Sequence, residues 1–216
     1  MNSDHGGGAD GRGGVRRDDP TPGDTGSETG CAPSLLDAAG LSSAVAGSAD
    51  ARVAEMLSRL ASVVDELAAV EVSQLSDAGV VEAAQVAERL GRRTAAAVTD
   101  RLVVEASDRN LPHASGYPDV RDFLAHRLGV GDPAARHRLI AATGSFTSIV
   151  GEKGDPQCPT LARHWGQGLI APARARAVLE VLDQIPHQVA ADVRAAAEAQ
   201  MAGYGVQFTP KEITTL

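Results

Sequence analysis

An all-α fold is what this sequence predicts, on three observations. The apolar residues are mainly Ala, Val and Leu, against three Phe, two Tyr and one Trp. Alanine gives up no side-chain entropy in a helix and lets neighbouring helices approach closely. Beyond about residue 50 the apolar positions recur at helical spacing, and few segments show the β-branched alternation of a half-buried strand. With 216 residues the chain is long enough for one ordinary domain and a tail.

The elements follow in order. Residues 1–33 are rich in Gly, Asp, Pro, Ser and Thr and carry too little apolar surface to offset chain entropy, so a disordered tail is expected there. A helical domain is expected over 34–216, with Leu35, Leu36 and Leu41 near its start. A first helix is expected from about Asp50 to Val72, with Val53, Leu57, Leu60, Val64 and Leu67 in one stripe. Ser76 and Asp77 are suited to open a second, running to about Ser107, with Val80, Ala84, Ala87, Leu90, Thr94 and Val98 along one side. Two long helices with a short connection predict an antiparallel hairpin whose stripes pack on each other and on the rest of the chain. Arg109–Pro118, with two prolines and a glycine, reads as a loop.

Two helix-turn-helix-like units come next. In the first, a helix over Asp119–Leu128 breaks at Gly129-Val130-Gly131, and Asp132-Pro133 launches a second helix to Ala142. Phe123, Leu124, Leu128, Val130 and Leu139 or Ile140 are its expected core, and Gly129 or Gly131 its positive-φ turn. The segment from Gly144 to Pro159 is expected to be irregular. In the second unit, Thr160–Gln167 is a short helix, Gly168-Leu169-Ile170 a turn, and Pro172 begins a helix to about Gln184. A later helix, Val189–Ala202, has Val189, Val193, Ala196, Gln200 and Met201 near one side. Thr209-Pro210 then begins another close to the last residue, which suggests a C-terminally truncated chain.

Net charge is −8, which argues against a general nucleic-acid coat, but its distribution is uneven. Residues 120–180 hold eight basic and five acidic groups, net +3, while the segments on either side are acidic. The only basic block thus contains both helix-turn-helix-like units. Within it Arg136, His137 and Arg138 on one second helix, and Arg174 and Arg176 on the other with Arg163 before them, are the candidates for duplex DNA. The planar guanidinium fork suits phosphates and guanine edges. Trp165, the sole Trp, is expected to anchor the core.

Catalytic signals are few. Glu66, Glu71, Asp108 and Asp119 have no matching His or Cys cluster, and Ser145 and Ser148 lie in no nucleophile elbow. Cys31 and Cys158 have no second Cys at metal-ligand spacing, so free thiols in a reducing cytoplasm are expected. There is neither a signal-peptide core nor a membrane-length apolar run.

Four segments in this order, Leu75–Arg93, Phe123–Ala142, Leu161–Pro186 and Asp192–Ile213, resemble the actinobacterial domain of unknown function 222 family, also called the 13E12 repeat family. Members of that family carry such a helical region ahead of an HNH endonuclease domain. That chemistry uses a clustered His pair beside a metal-binding Asp or Asn, whereas the six histidines here are scattered singly. The resemblance therefore implies the helical part without the part that cuts: no enzyme, no metal and no cofactor. The expected function is a non-catalytic module that binds duplex DNA. The alternatives are a protein-interaction module self-associating through its N-terminal hairpin, or a truncated remnant without activity.

Overall fold

The computed structural model describes residues 49–215 apart from His187. The expected tail over 1–33, with Leu35, Leu36 and Leu41, lies outside the described residues. The chain divides into two units, Met1–Glu71 and Val72–Leu216. Among the described residues there are helices and no strand; a single antiparallel bridge joins Thr147 to Lys153. The expected all-α fold is thus what the chain adopts.

The first unit contains α1, Ala49–Ala68, close to its expected span. Val53, Leu60, Val64 and Leu67 recur at intervals of seven and four or three residues, and all are exposed. The two members of the expected hairpin fall in different units.

In the second unit a short 3-10 turn, Val72–Gln74, leads to Ser76. Its hydroxyl accepts the Gly79 N–H at 3.1 Å and caps α2, Asp77–Thr94. The helix continues through a π-helical segment, Ala95–Asp100, into α3, Arg101–Asp108. Its buried positions are Ala96, Asp100, Val103 and Val104, all beyond the first half of the expected stripe. Val80 and Leu90 are half exposed, so the α2 part of that stripe faces solvent. The expected loop after Arg109 holds a one-turn helix, α4, Leu111–Ala114, entered through Asn110 at a φ of 54°.

Asp119 caps α5, Val120–Asp122, which runs on as a π-helical segment to Arg127. The turn glycine is Gly129, at a φ of 65°. Asp132 then accepts the Ala135 N–H at 3.0 Å and starts α6, Pro133–Thr143. Leu124, Leu139 and Ile140 are core residues as expected, and Val130 is half-buried against them. Leu128 is not a core residue: it ends the π-helical segment and faces outward.

The rest of the unit is built around α8, Pro172–Leu182. It packs against α6, against α9, Ala191–Gln207, and against α10, Pro210–Ile213. Before it, α7, Pro159–Gly166, lies against α9 and α2. Leu161, Trp165, Ile170, Val178, Ala202 and Ile213 form the centre of this core. Of the side expected to be apolar on α9, Met201 is buried as expected, but Val193 is exposed, and the buried face holds Glu198, Met201, Ala202 and Gly205. Glu198 is buried because it has a partner, accepting the Leu161 N–H at 2.7 Å and satisfying an orphan donor at the start of α7.

Candidate functional site

The six cationic candidates meet different fates. Arg136 turns inward from α6, with its side chain only 16% exposed. Its Nε and Nη2 donate to Asp100 Oδ1 at 2.8 and 2.7 Å, and its guanidinium lies 5.2 Å from the Trp165 ring centroid. Trp165 Nε1–H donates to the other Asp100 oxygen at 2.8 Å. One carboxylate on α2–α3 thus gathers a guanidinium from α6 and an indole from α7. Burial holds the Asp100 carboxyl above its ordinary pKa, against the opposing pull of Trp165 and Arg136.

Arg138 donates to Asp183 just beyond α8, and His137 is half-buried beside it. Arg174 Nη1 donates to the Val206 carbonyl at 3.0 Å, fastening the start of α8 to the end of α9. Arg176 bonds Glu180 at 2.8 Å and lies 3.7 Å from Asp132. Arg163 is exposed on α7, and its side chain makes no hydrogen bond or ion pair with a described residue.

Arg136 and Arg176 do meet, at a cleft of about 770 Å³ between α6, the first half of α8 and α10. Val130, Ala135, Leu139, Pro172, Ala177 and Pro210 make its walls largely apolar. Asp132, Glu180, Lys211 and Thr214 supply the remaining polar groups. Lys211 is the member that sequence reasoning missed. Its position after Thr209-Pro210 marks only a helix start, and nothing local says that α10 closes one side of a cleft. The other candidates, His137, Arg138, Arg163 and Arg174, do not line it.

The second surface of note is α2. Arg89 Nε donates to the Gln167 carbonyl at 3.3 Å and Arg92 Nε to the Gly168 carbonyl at 3.0 Å. Gly168 has a φ of 68°, and a Cβ there would lie 2.4 Å from the Arg89 carbonyl oxygen. This face of α2 is therefore held to the α7–α8 turn by close backbone approach. At 3.6 residues per turn, Val80, Ala84, Ala87 and Gly91 fall in a sector about 60° wide on the opposite face. All four are exposed and none is charged.

The family model described as Domain of unknown function (DUF222) matches residues 81–216. The chain belongs to the DUF222 family. The match takes in most of α2 and every later element, so the DUF222 region includes the cleft, the Asp100 cluster and the Gly168 turn. No match was found among curated proteins or among solved structures. Among the described residues of this DUF222 protein, no helix is long and apolar enough to cross a membrane. Nor do three or more His, Cys, Asp or Glu residues gather where they could hold a metal ion. Cys158 is half-buried, and burial, with Glu198 and Asp183 nearby, pushes its thiol up to about 11. Such a thiol holds its proton at neutral pH and is a poor nucleophile.

Proposed function

We propose that this chain is a non-catalytic protein-interaction module that pairs with a second copy of itself through α2. The observation that carries the reading is the uncharged, exposed face of Val80, Ala84, Ala87 and Gly91, on a helix whose other side is already fixed. Small residues let two helix backbones come close, so dispersion contacts form along the whole seam. Charge selects the direction. The first half of α2 carries Asp77 and Glu82, net −2, and the second carries Arg89, Arg92 and Arg93 against Glu88, which pairs with Arg92, net +2. An antiparallel pair sets opposite net charges side by side, whereas a parallel pair sets like on like. The exposed strip on α1 offers a second surface of the same kind.

Light scattering across a dilution series tests this reading. The expected result is a dimer that forms below about 100 μM and that Ala87→Glu converts to monomer over that range, with the melt of the dilute monomer unchanged. Leu60→Glu or Val64→Glu on α1 is expected to weaken it. A chain monomeric at about 100 μM, or a dimer indifferent to Ala87→Glu, overturns it.

A second reading is duplex DNA binding, favoured by the net +3 of residues 120–180 and by exposed, unpaired Arg163. It rests on phosphate contact, so affinity should fall steeply with salt and Arg163→Ala should reduce the salt slope by about one. Affinity that ignores salt sinks it. Arg136→Ala is unsuited to this test, because its side chain belongs to the Asp100 cluster.

A further inference from the structure

We propose that the tip of the hairpin over residues 146–154 in one copy seats in the α6–α8–α10 cleft of a second copy, joining copies head to tail. Ile149 and Val150 at that tip are 108% and 81% exposed. Two adjacent aliphatic side chains in full contact with water are costly unless a partner covers them.

The tip is also held in position. The Ser148 N–H donates to the Glu152 carbonyl at 2.7 Å, and the Gly154 N–H to the Phe146 carbonyl at 2.9 Å. At the base, Thr147 donates its N–H and hydroxyl to Asp108, and Lys153 reaches Glu105 at 3.4 Å. Phe146 packs on the Val103, Val104, Leu124 and Ile140 cluster. The two aliphatic residues thus stand on a built support, and little ordering entropy remains to be lost when they dock.

The cleft supplies what the tip lacks. Its walls are largely apolar, and its volume of about 770 Å³ exceeds two aliphatic side chains, leaving room for the turn that carries them. Charge matches as well. Glu152 beside the tip and Lys211 on the cleft make no ion pair among the described residues, and docking sets one against the other. The occupant is a second copy because of placement. The cleft uses Ala135, Arg136 and Leu139 of α6 with its N-cap Asp132, whereas the hairpin leaves the other end of that helix at Gly144. A knob at one end and a socket at the other make a heterologous contact, which repeats into a ring or an open chain of copies.

This contact is independent of the α2 pairing, and the test keeps the two apart by working in the Ala87→Glu background. A single small knob belongs with weak interfaces, so weight-average mass is followed from roughly 10 μM to 1 mM. Residual association is expected in that background. Ile149→Asp with Val150→Asp, or Ala173→Trp to fill the cleft mouth, should weaken it about tenfold or more with an unchanged melt. An equimolar mixture of the tip variant and the cleft variant, each with one intact half, should recover dimers and nothing larger. A monomer throughout the Ala87→Glu series overturns the proposal, as does association that survives both variants or a mixture that recovers nothing. If Ala87→Glu leaves the wild-type assembly intact while the tip variant dissolves it, the α2 reading fails and this one stands.

Discussion

Replacing Asp100 by alanine is expected to destabilise the Val72–Leu216 unit by about 3–5 kcal/mol, the usual cost of removing one partner from a buried ion pair. The loss comes mainly from what is left behind. Arg136 would keep a charge in a largely buried site, and the Trp165 indole N–H would lose its acceptor. Urea unfolding of the single variant measures the total. Adding Arg136→Met removes the stranded charge and should recover part of the loss, giving a coupling of about 0.5–3 kcal/mol in a double-mutant cycle. A single-variant loss under about 1 kcal/mol would show the cluster to be dispensable. The pH dependence has a definite sign. Because the Asp100 carboxyl is pushed up, the folded chain binds this proton more tightly than the unfolded chain does. Its contribution therefore declines as pH rises from the ordinary carboxylate value through the folded one, and mild acid should not unfasten this cluster.

Gly168→Ala should be the second severe change, at about 2–5 kcal/mol. A left-handed backbone costs a non-glycine residue about 1–2 kcal/mol, and overpacking adds about 1–3 more. The overpacking is specific here, because the new Cβ would meet the Arg89 carbonyl oxygen and the Arg93 backbone nitrogen. Neither is the far end of a flexible side chain, so α2 must move away from the turn. Gly129→Ala is the control. Its φ is also left-handed, at 65°, but its Cβ would meet nothing within 4 Å. That variant should lose only about 1 kcal/mol, from conformation alone. Equal losses for the two glycines would mean that the α2 approach has no energetic weight.

Much of this fold could be read before any coordinates. Ser76, Asp132 and Thr209 are local signals, since each cap acts on an amide three residues ahead, and each starts a helix where expected. The turn glycine was legible only as Gly129 or Gly131, and the backbone takes its positive φ at Gly129. The sides of helices were harder to read. An exposed Ala face and a buried one look alike in sequence, so the open face of α2 and the buried face of α9 required the tertiary packing. Glu198 is the sharpest case, because a glutamate on a helix ordinarily signals solvent, and only a partner 37 positions away reverses that. The cationic candidates failed to form one patch for a related reason. Spacing identified arginines, but Asp100, Val206 and Asp183 decide where those arginines point. The hairpin tip gave no signal beyond a Gly- and Pro-punctuated stretch.

The Glu198–Leu161 bond also sets an order of events. Helix α7 has eight residues, too few to persist alone in water, and its N-cap residue, Cys158, makes no side-chain cap. The missing acceptor is translated 37 residues after the amide that needs it. Until α9 is made, the Leu161 N–H lacks this acceptor. The two helix-turn-helix-like units, adjacent in sequence and alike in pattern, therefore differ in what completes them. The first closes on Val103, Val104, Leu124 and Ile140, all already made, whereas the second takes its cap from the last long helix.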